Sequence, residues 1–467
     1  MNFMGMNRMK KLLVWVVGMV VSWEGIAQDN PDKVLTFQEA VSIALRNNVT
    51  LAQQKNNLEA AQMQRTASLL NMAPTVNVNA FAQQFNGNSF NQQQGRAVNG
   101  VRDAVNGSIN ASLPIFNGFN LLNTAKQTGS QLEAQSYFVK RTTEDVINTV
   151  SSQYLQVLLD IELLRIAKEN FEAQNIQLNQ IKEQVSVGSR SPVDEYNQVG
   201  QTRAAELRML QAEINLTNDR ALLTQTLLID PFAEFEVQKP GWSIEELQLI
   251  NPNIEQMYTV AKENRGDLLR AVNTESAARY GLLATRGALA PSLGAFFSYG
   301  SAYNYQHDIP DSILANNPSI NRSFEEQFGN DNVFKSYGLQ LTIPVLNGFQ
   351  SRNRMVQQKI TYRNNRLQRE NTEIVVKTDV LRAAKNFQVG KTAYAVSQSQ
   401  LEAAELAFQL ESERYNLGVT NFVDFAQANR TLVQAQTDKA QAEYRLIFQK
   451  ILLEYATGTL KIEGIEY

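Results

Sequence analysis

The sequence predicts an α+β membrane protein in which three chains share a 12-stranded β-barrel and continue it as a long α-helical barrel. Three features of the 467-residue chain predict this fold class: an export segment, an internal repeat of about 230 residues, and short alternating segments beside very long helical ones. After residue 27 no apolar stretch reaches the roughly eighteen residues that a membrane-spanning helix needs. Entry into a membrane therefore requires β-strands.

The first 27 residues have the pattern of a secretory signal peptide. Basic residues precede a short apolar run at 12–21, and small residues stand before a cleavage point near Gln28. The apolar run is too short for a spanning helix, which needs about 20 residues. The mature chain has no cysteine, so it has neither disulfides nor a lipidated N-terminal cysteine. A net charge of -3 without a basic stripe argues against nucleic acid as a partner.

Two pairs of segments indicate an internal duplication. Residues 108–120 are echoed by 338–350, and a glycine-containing turn at 185–196 is echoed by 415–426, both at an offset of about 230 residues. Two distant landmarks that keep one spacing predict two structural repeats.

Each predicted repeat, 28–250 and 251–467, runs helix, strand, loop, strand, long helix, tight turn and returning helix. In the first repeat, Thr36 and Glu39 form the capping-box pattern that begins a helix. In the second, Asn253 is expected to cap the equivalent helix.

The long helices are predicted as hairpins, 119–229 and 349–457, whose first arm is nearly twice as long as the second. The arm at 120–186 spans about 100 Å, whereas the returning arm spans about 55 Å. The helices predicted at 36–72 and 253–289 have the missing length, so each is expected to stack end to end with a returning arm. Narrow apolar seams and uncharged polar faces favour a hollow helical barrel.

Four segments alternate between apolar and polar residues, as strands between lipid and water do. Taken alone, the alternation suits four half-buried strands of a small soluble sheet equally well. These segments are 75–83, 105–113, 292–300 and 334–343. The intervening segments, 84–104 and 301–332, are rich in Asn, Gln, Ser and Gly and are predicted as external loops. Four strands of about nine residues cannot close on themselves, and a sheet in lipid cannot leave an open edge. Three chains would supply twelve strands and an aqueous lumen.

The alternative from another class is a periplasmic or surface coiled-coil scaffold without transport. A scaffold explains the helices equally well, and only the strands and the signal peptide count against it. The discriminating feature is whether the four strands lie in lipid.

The sequence predicts no catalytic site, no metal site and no cofactor. Gly390-Lys391-Thr392 resembles the end of a phosphate-binding loop, but the first glycine of that motif is missing and the triplet lies in a predicted helix. The single histidine, His307, cannot form a His/Cys metal cluster or a nucleophile pair. We therefore do not expect an enzyme.

Several motifs in a fixed order resemble the TolC family of outer-membrane efflux proteins. They are the opening LTFQEAVSIALRNN, the strand exits LPIFNGF and IPVLNGF, the two glycine turns and the closing YATGTL. The resemblance covers essentially all of the mature chain. It implies a homotrimer in outer-membrane lipid of a Gram-negative bacterium, with a large periplasmic part. It also implies the exit channel of a tripartite efflux or type I secretion system, docked onto a periplasmic adaptor (membrane fusion) protein and an inner-membrane RND or ABC transporter.

The two glycine turns have a local explanation in helix-end chemistry. Gly188 and Gly418 are predicted at left-handed positions that end helices. Ser191 or Asn421 can cap the following helix, and Pro192 suits its first turn. This turn chemistry alone can account for both motifs.

The family resemblance adds a functional interpretation, a gate at the periplasmic mouth. In TolC-like proteins a tyrosine before the second glycine, an arginine after it, and aspartates six residues past each glycine hold the mouth closed. Tyr415, Asp194 and Asp424 match these positions. The arginine position is Thr420, although Arg190 takes the equivalent place in the first turn.

The family's deeper second aspartate falls on Gln427, which leaves one expected acidic ring. Our hypothesis is that three copies of Asp424 converge at the constriction and that Arg190 supplies compensating charge. Like charges brought together repel, so the mouth would be poised to open when an adaptor engages it.

Overall fold

A computed structural model describes residues 33–461, except for 92–94, 233–234, 308, 310–313 and 315–320. The signal peptide predicted at 1–27 lies outside the described residues. In chain order the elements are β1 (Lys33–Leu35), α1 (Phe37–Asn47), α2 (Val49–Leu70), β2 (Thr75–Asn91), β3 (Arg96–Asn117), α3 (Asn120–Ser186), α4 (Pro192–Leu227), β4 (Phe235–Val237), α5 (Ile244–Leu249), α6 (Ile254–Asn264), α7 (Gly266–Gly287), β5 (Ser292–Gln306), α8 (Phe324–Glu326), a π-helical turn (Gln327–Asp331), β6 (Phe334–Thr342), α9 (Gln350–Asn416) and α10 (Phe422–Thr457). None of the described helices combines the length and the hydrophobicity that crossing a membrane requires.

Two helical hairpins of matching dimensions are the largest elements of the chain. The long helices α3 and α9 have 67 residues each, and the returning helices α4 and α10 have 36 each. The long helix predicted at 120–186 is confirmed, and its length corresponds to about 100 Å. Each long helix follows two left-handed residues, Gly118-Phe119 or Gly348-Phe349, so the repeated Asn-Gly-Phe motif turns the chain from sheet to helix.

The prediction of one helix over 36–72 is wrong, because the helix is broken at Asn48. The backbone of Asn48 is extended, with ψ 115°, and its side chain accepts a 2.8 Å hydrogen bond from the N–H of Leu51. Asparagine favours such local caps over continuing a helix. Asn47 donates to the carbonyl oxygen of Leu227 at 3.1 Å, so the break rests on the end of α4.

The prediction of one helix over 253–289 is wrong in the same way, because that helix is broken at Arg265. The buried guanidinium of Arg265 lies 3.0 Å from the carboxylate of Asp267 and 2.6 Å from that of Asp379 on α9. Gly458, just after α10, has φ 70°, and a Cβ there would lie 2.8 Å from the Cα of Arg265. Each broken helix therefore stacks on the end of a returning helix, as the length comparison predicted.

The four-stranded sheet is antiparallel, in the order β2-β3-β5-β6. Three of its strands, β2, β3 and β5, are longer than predicted, whereas β6 matches its prediction to within one residue. The prediction of an external loop at 84–104 is wrong. Backbone pairing continues outward from Gln84 and Asp103 to Asn91 and Arg96, so most of that segment is a β-hairpin. Polar side chains do not prevent pairing, because the ladder bonds join backbone groups and both faces of the hairpin can be solvated. The prediction of a loop over 301–332 is likewise wrong at both ends. The segment begins with the last part of β5 and ends with α8 and the π-helical turn.

The two faces of this sheet differ in chemistry. Strand alternation and register put most apolar residues on one face and most amides and hydroxyls on the other, where Phe81, Phe296 and Phe334 also lie. Exposed members of the apolar face include Val76, Val78, Ile109, Leu339 and Leu341. An exposed apolar face of this extent marks a contact with lipid or with another chain.

The largest hydrophobic core lies at mid-height, where the two hairpins meet. There β1 and β4 form a short parallel pair, and the buried hydroxyl of Tyr154 lies 2.9 Å from the carbonyl oxygen of Leu35 and 2.6 Å from that of Gln238. The rings of Tyr154 and Trp242 pack edge-on against Phe37. These contacts join β1, which precedes α1, to the segment around β4, which follows the first hairpin.

Candidate functional site

The candidate site consists of the two turns that close the helical hairpins. Gly188 has φ 75° and Gly418 has φ 74°, so both predicted left-handed positions are confirmed. In the first turn Ser189 N–H donates to the carbonyl oxygen of Gln184 at 2.8 Å. Both turns thus have the hydrogen bonding of a helix that ends in a left-handed glycine.

The helices that follow these turns begin with the predicted caps. The Ser191 hydroxyl accepts from the N–H of Val193 at 3.2 Å, and Pro192 occupies the first position of α4. The side-chain oxygen of Asn421 accepts from the N–H of Asp424 at 3.0 Å. Both following helices therefore begin with a side chain that caps a backbone N–H group.

A contact between Arg190 and Tyr415 joins the two turns. The guanidinium carbon of Arg190 lies 4.0 Å from the centroid of the Tyr415 ring, and an Nη donates to the Tyr415 carbonyl oxygen at 3.2 Å. These residues are 225 positions apart in the chain. The sequence identified both residues but did not predict their contact.

The Tyr415 ring belongs to a buried group that we call the tip cluster: Ile181, Tyr415, Phe422, Phe425 and Ala426. Tyr415 is 1% exposed and stacks on Phe425 with ring centroids 4.7 Å apart. Its hydroxyl is buried and has no hydrogen-bond partner among the described residues. Burial raises the pKa of the Tyr415 phenol; the nearby Arg190 lowers it and Asp194 raises it. Tyr415 therefore acts through its ring and its carbonyl oxygen.

The aromatic partners of Tyr415 were missed at the sequence level. Phe422 and Phe425 are three residues apart at the start of α10, a spacing that puts both rings on one helix face. That spacing was the available signal for a small core at the hairpin tips.

In the second turn, the carboxylate of Asp424 contacts the residue that caps its helix. The Asp424 carboxylate is exposed and accepts from Asn421 Nδ2 at 3.0 Å and from Thr420 Oγ1 at 3.4 Å. Thr420, which occupies the family's arginine position, thus contacts Asp424 as a neutral donor. Gln427, at the family's deeper acidic position, is exposed and accepts from Arg430 at 2.9 Å.

The Gly-Lys-Thr triplet and the single histidine make structural contacts. Gly390 packs against Leu446 within the long helix α9, and the Lys391 ammonium donates to the carbonyl oxygen of Ile250. His307 Nε2 lies 2.6 Å from the carboxylate of Asp103 at the outer end of the sheet. Among the described residues no group of three or more His, Cys, Asp or Glu side chains is arranged to hold a metal ion.

Comparison with known proteins identifies the family. A family model described as outer membrane efflux protein matches residues 40–227 and 257–459. The chain belongs to this family. This outer membrane efflux protein is 24% identical over 373 residues to outer membrane protein TolC of Vibrio cholerae, with 78% of each chain covered. It is 21% identical over 353 residues to outer membrane efflux protein BepC of Brucella suis, covering 75% of this chain and 71% of BepC.

Solved structures show the same fold. The CmeC outer membrane channel of Campylobacter jejuni matches with a TM-score of 0.77 and 15% identity, covering 92% of this chain and 87% of CmeC. VceC of Vibrio cholerae matches with a TM-score of 0.77 and 13% identity, covering 90% and 96%. The predicted TolC-like family is thereby confirmed.

The outer membrane efflux protein is therefore an efflux channel of the Gram-negative outer membrane with a large periplasmic part. Its family consists of channel proteins, and TolC-like channels work within tripartite systems. The scaffold alternative is less well supported than the channel.

Proposed function

We propose that three copies of this chain form one continuous conduit, a 12-stranded β-barrel followed by a periplasmic α-helical barrel. Substrates would pass through it passively to the exterior. The observation that carries this proposal is the strand order, which within the described part of the chain leaves an outer edge of β2 and of β6 unpaired. Unpaired backbone groups in lipid cost several kcal/mol each, so these edges require strands from other copies. Three chains of four strands close the barrel.

A row of exposed apolar side chains along α9 supports lateral contact between copies. Ile360, Leu367, Ile374 and Leu381 recur every seven residues and are 50%, 63%, 67% and 45% exposed in the single chain. Seven-residue spacing is typical of helices that pack side by side as coiled coils. After one step of eight residues the row continues along α9 with Val389, Val396 and, two heptads later, Leu410; Leu417 follows just past the end of the helix. We infer that a helix of the neighbouring copy covers this row.

We also infer that the two repeats, 28–250 and 251–467, are pseudo-equivalent in this assembly. The equal lengths of α3 and α9, and of α4 and α10, support the inference. A trimer would then present six similar hairpins around one lumen, each about 100 Å tall.

We propose that the two turns form a gate at the periplasmic mouth, with Asp424 from three copies around the constriction. The Asp424 carboxylate is exposed, and its hydrogen-bond donors in the described part of the chain are the neutral groups of Thr420 and Asn421. Three carboxylates brought together on one axis repel, which favours opening. Arg190, held against Tyr415, supplies positive charge near the ring and keeps the turns of one copy together.

Single-channel recording in planar bilayers tests the acidic ring. Asp424→Ala should change the conductance or reduce the preference for cations, because a fixed negative charge at a constriction concentrates cations. Asp438→Ala, a carboxylate on α10 away from the turns, serves as the matched control and should leave both quantities unchanged. If Asp424→Ala has the conductance and selectivity of the wild type, the proposed acidic ring is contradicted.

We propose that the hairpin tips dock onto a periplasmic adaptor that connects the conduit to an inner-membrane RND or ABC transporter. Support comes from the exposed loop tips, such as Val419, and from the tripartite systems in which TolC-like channels work. Because the chain has no cysteine of its own, a photoreactive maleimide on Val419→Cys labels one position of this protein. Capture of an adaptor supports docking at the tip. Capture from a mid-helix control, Leu207→Cys, without capture from Val419→Cys would contradict it.

A further inference from the structure

Within the described part of the chain, the outer part of β5 has no neighbouring strand on its β6 side. β5 pairs with β6 only from Ser292 to Gly300, although it continues to Gln306. Residues 321–332 lie along this remaining edge and are called the edge clamp below. Backbone groups along such an edge would otherwise be free to pair with another strand.

Three side-chain amides of the edge clamp contact β5 at every second residue, as a neighbouring antiparallel strand would. The contacts join Asn321 to Gln306 (2.8 and 2.6 Å), Gln327 to Asn304 (3.1 and 3.0 Å) and Asn332 to Ala302 (2.7 Å). At Asn304 and Gln306 the amide both accepts from the backbone N–H and donates to the carbonyl oxygen. The clamp thus satisfies the edge of β5 without extending the sheet.

Aromatic packing fixes the clamp in position. The Phe328 ring lies over Gly107 of β3, where a Cβ would be only 2.8 Å from Phe328 Cζ. Phe324 stacks on Phe328 with centroids 5.0 Å apart and packs edge-on against Tyr303 of β5. Ser323 and Glu326 add a capping box to the helical turn. The clamp is therefore held against the sheet by packing as well as by hydrogen bonds.

The lengths of the two edge strands differ. β2 has 17 residues and β6 has nine, so a neighbour's β6 can cover only about half of the β2 edge. The outer half of β2 is left uncovered. In the neighbouring copy, the edge clamp occupies the place into which a longer β6 would extend beside it.

We propose that the edge clamp replaces the outer half of β6 at the seam between two copies and contacts residues 84–88 of β2 in the neighbouring copy. This inference rests on the proposed trimer. Gly329 and Asn330 are among the exposed residues of the clamp, and β2 is exposed around Asn86. The inner part of each seam is then a backbone ladder, whereas the outer part consists of side-chain contacts.

Disulfide trapping tests the seam, since any cross-link comes from introduced cysteines. The double variants Asn330→Cys/Asn86→Cys and Asn330→Cys/Asn88→Cys are oxidised in isolated outer membranes. At least one should give dimer and trimer bands on a non-reducing gel, because a disulfide needs Cα atoms within about 7 Å. Asn330→Cys/Asn99→Cys, which moves the second cysteine to β3, is the matched control and should give no such bands. Adding Gln327→Ala to the reactive pair should reduce the cross-linked fraction.

An amine-reactive cross-linker applied to the same membranes separates the two levels of the proposal. Trimer bands with this reagent, without disulfide bands in either test pair, would overturn the seam and leave the trimer intact. Absence of trimer bands with both reagents would overturn the trimer and the seam together.

Discussion

Replacing Arg190 with alanine should make the pore open more often. Arg190 is the side chain that joins the two hairpin turns, with its guanidinium 4.0 Å from the Tyr415 ring centroid and 3.2 Å from the Tyr415 carbonyl oxygen. A partly exposed cation–π contact contributes about 0.5–1 kcal/mol, and a hydrogen bond contributes about 0.5–1.5 kcal/mol. The variant should therefore lose about 1–2.5 kcal/mol of closed-state stability per chain.

For the turns of one chain, such a loss corresponds to a rise of about 5- to 70-fold in the ratio of open to closed states, and chains that open together multiply this factor. The assay is the open probability of single channels in planar bilayers. Arg190→Lys should fall between wild type and Arg190→Ala, because lysine keeps the charge but cannot stack its planar group on the ring.

Arg203→Ala is the matched control for loss of an arginine from α4. Arg203 is exposed and pairs with Glu206 on the same helix, a type of ion pair that contributes about 0–1 kcal/mol. Equal open probabilities in wild type, Arg203→Ala and Arg190→Ala would refute the role of Arg190 in joining the turns.

Three further substitutions test other parts of the structure. Tyr415→Phe should leave the open probability unchanged, because the lost hydroxyl is buried without a partner among the described residues; a clear gain in opening would assign that hydroxyl a role. Burial raises the pKa of Glu144 from its ordinary 4.5 to about 7, since the cations of Lys140 and Arg141, 3.9 and 3.6 Å away, do not offset it. The folded state thus binds this proton more tightly than the unfolded state, so its contribution is complete below pH 4.5 and is lost, by roughly 3 kcal/mol, as the pH rises through 7. Glu144→Gln should flatten that part of the pH profile of thermal unfolding, and an unchanged slope would contradict the assignment. Gly458→Ala should destabilise the fold by about 1–3 kcal/mol, because alanine at φ 70° is strained and its Cβ would meet the backbone of the broken helix; an unchanged melting temperature would show that the break can relax.

The long helices and the hairpin turns could be predicted from local sequence. The segment 120–186 lacks proline and keeps a helical apolar spacing, so a single helix was the expected outcome. Gly188 and Gly418 are required by the left-handed backbone at those points, which depends only on neighbouring residues.

The outer strands and the helix breaks could not be predicted locally. A solvated hairpin and a loop have the same Asn-, Gln- and Gly-rich composition, so residues 84–104 gave no periodic signal for pairing. Arginine is a good helix former, and the break at Arg265 is fixed by Asp379 and Gly458, both distant in sequence. The contact of Arg190 with Tyr415 likewise exists only after two separate hairpins have packed together.

The number of chains in the detergent-extracted protein tests the shared barrel most directly. Native mass spectrometry of the mature chain should give the mass of three copies, because each chain brings four strands and two unpaired sheet edges. A stable single chain, with the apolar sheet face and the α9 row still exposed, would contradict the shared barrel and the gate built upon it.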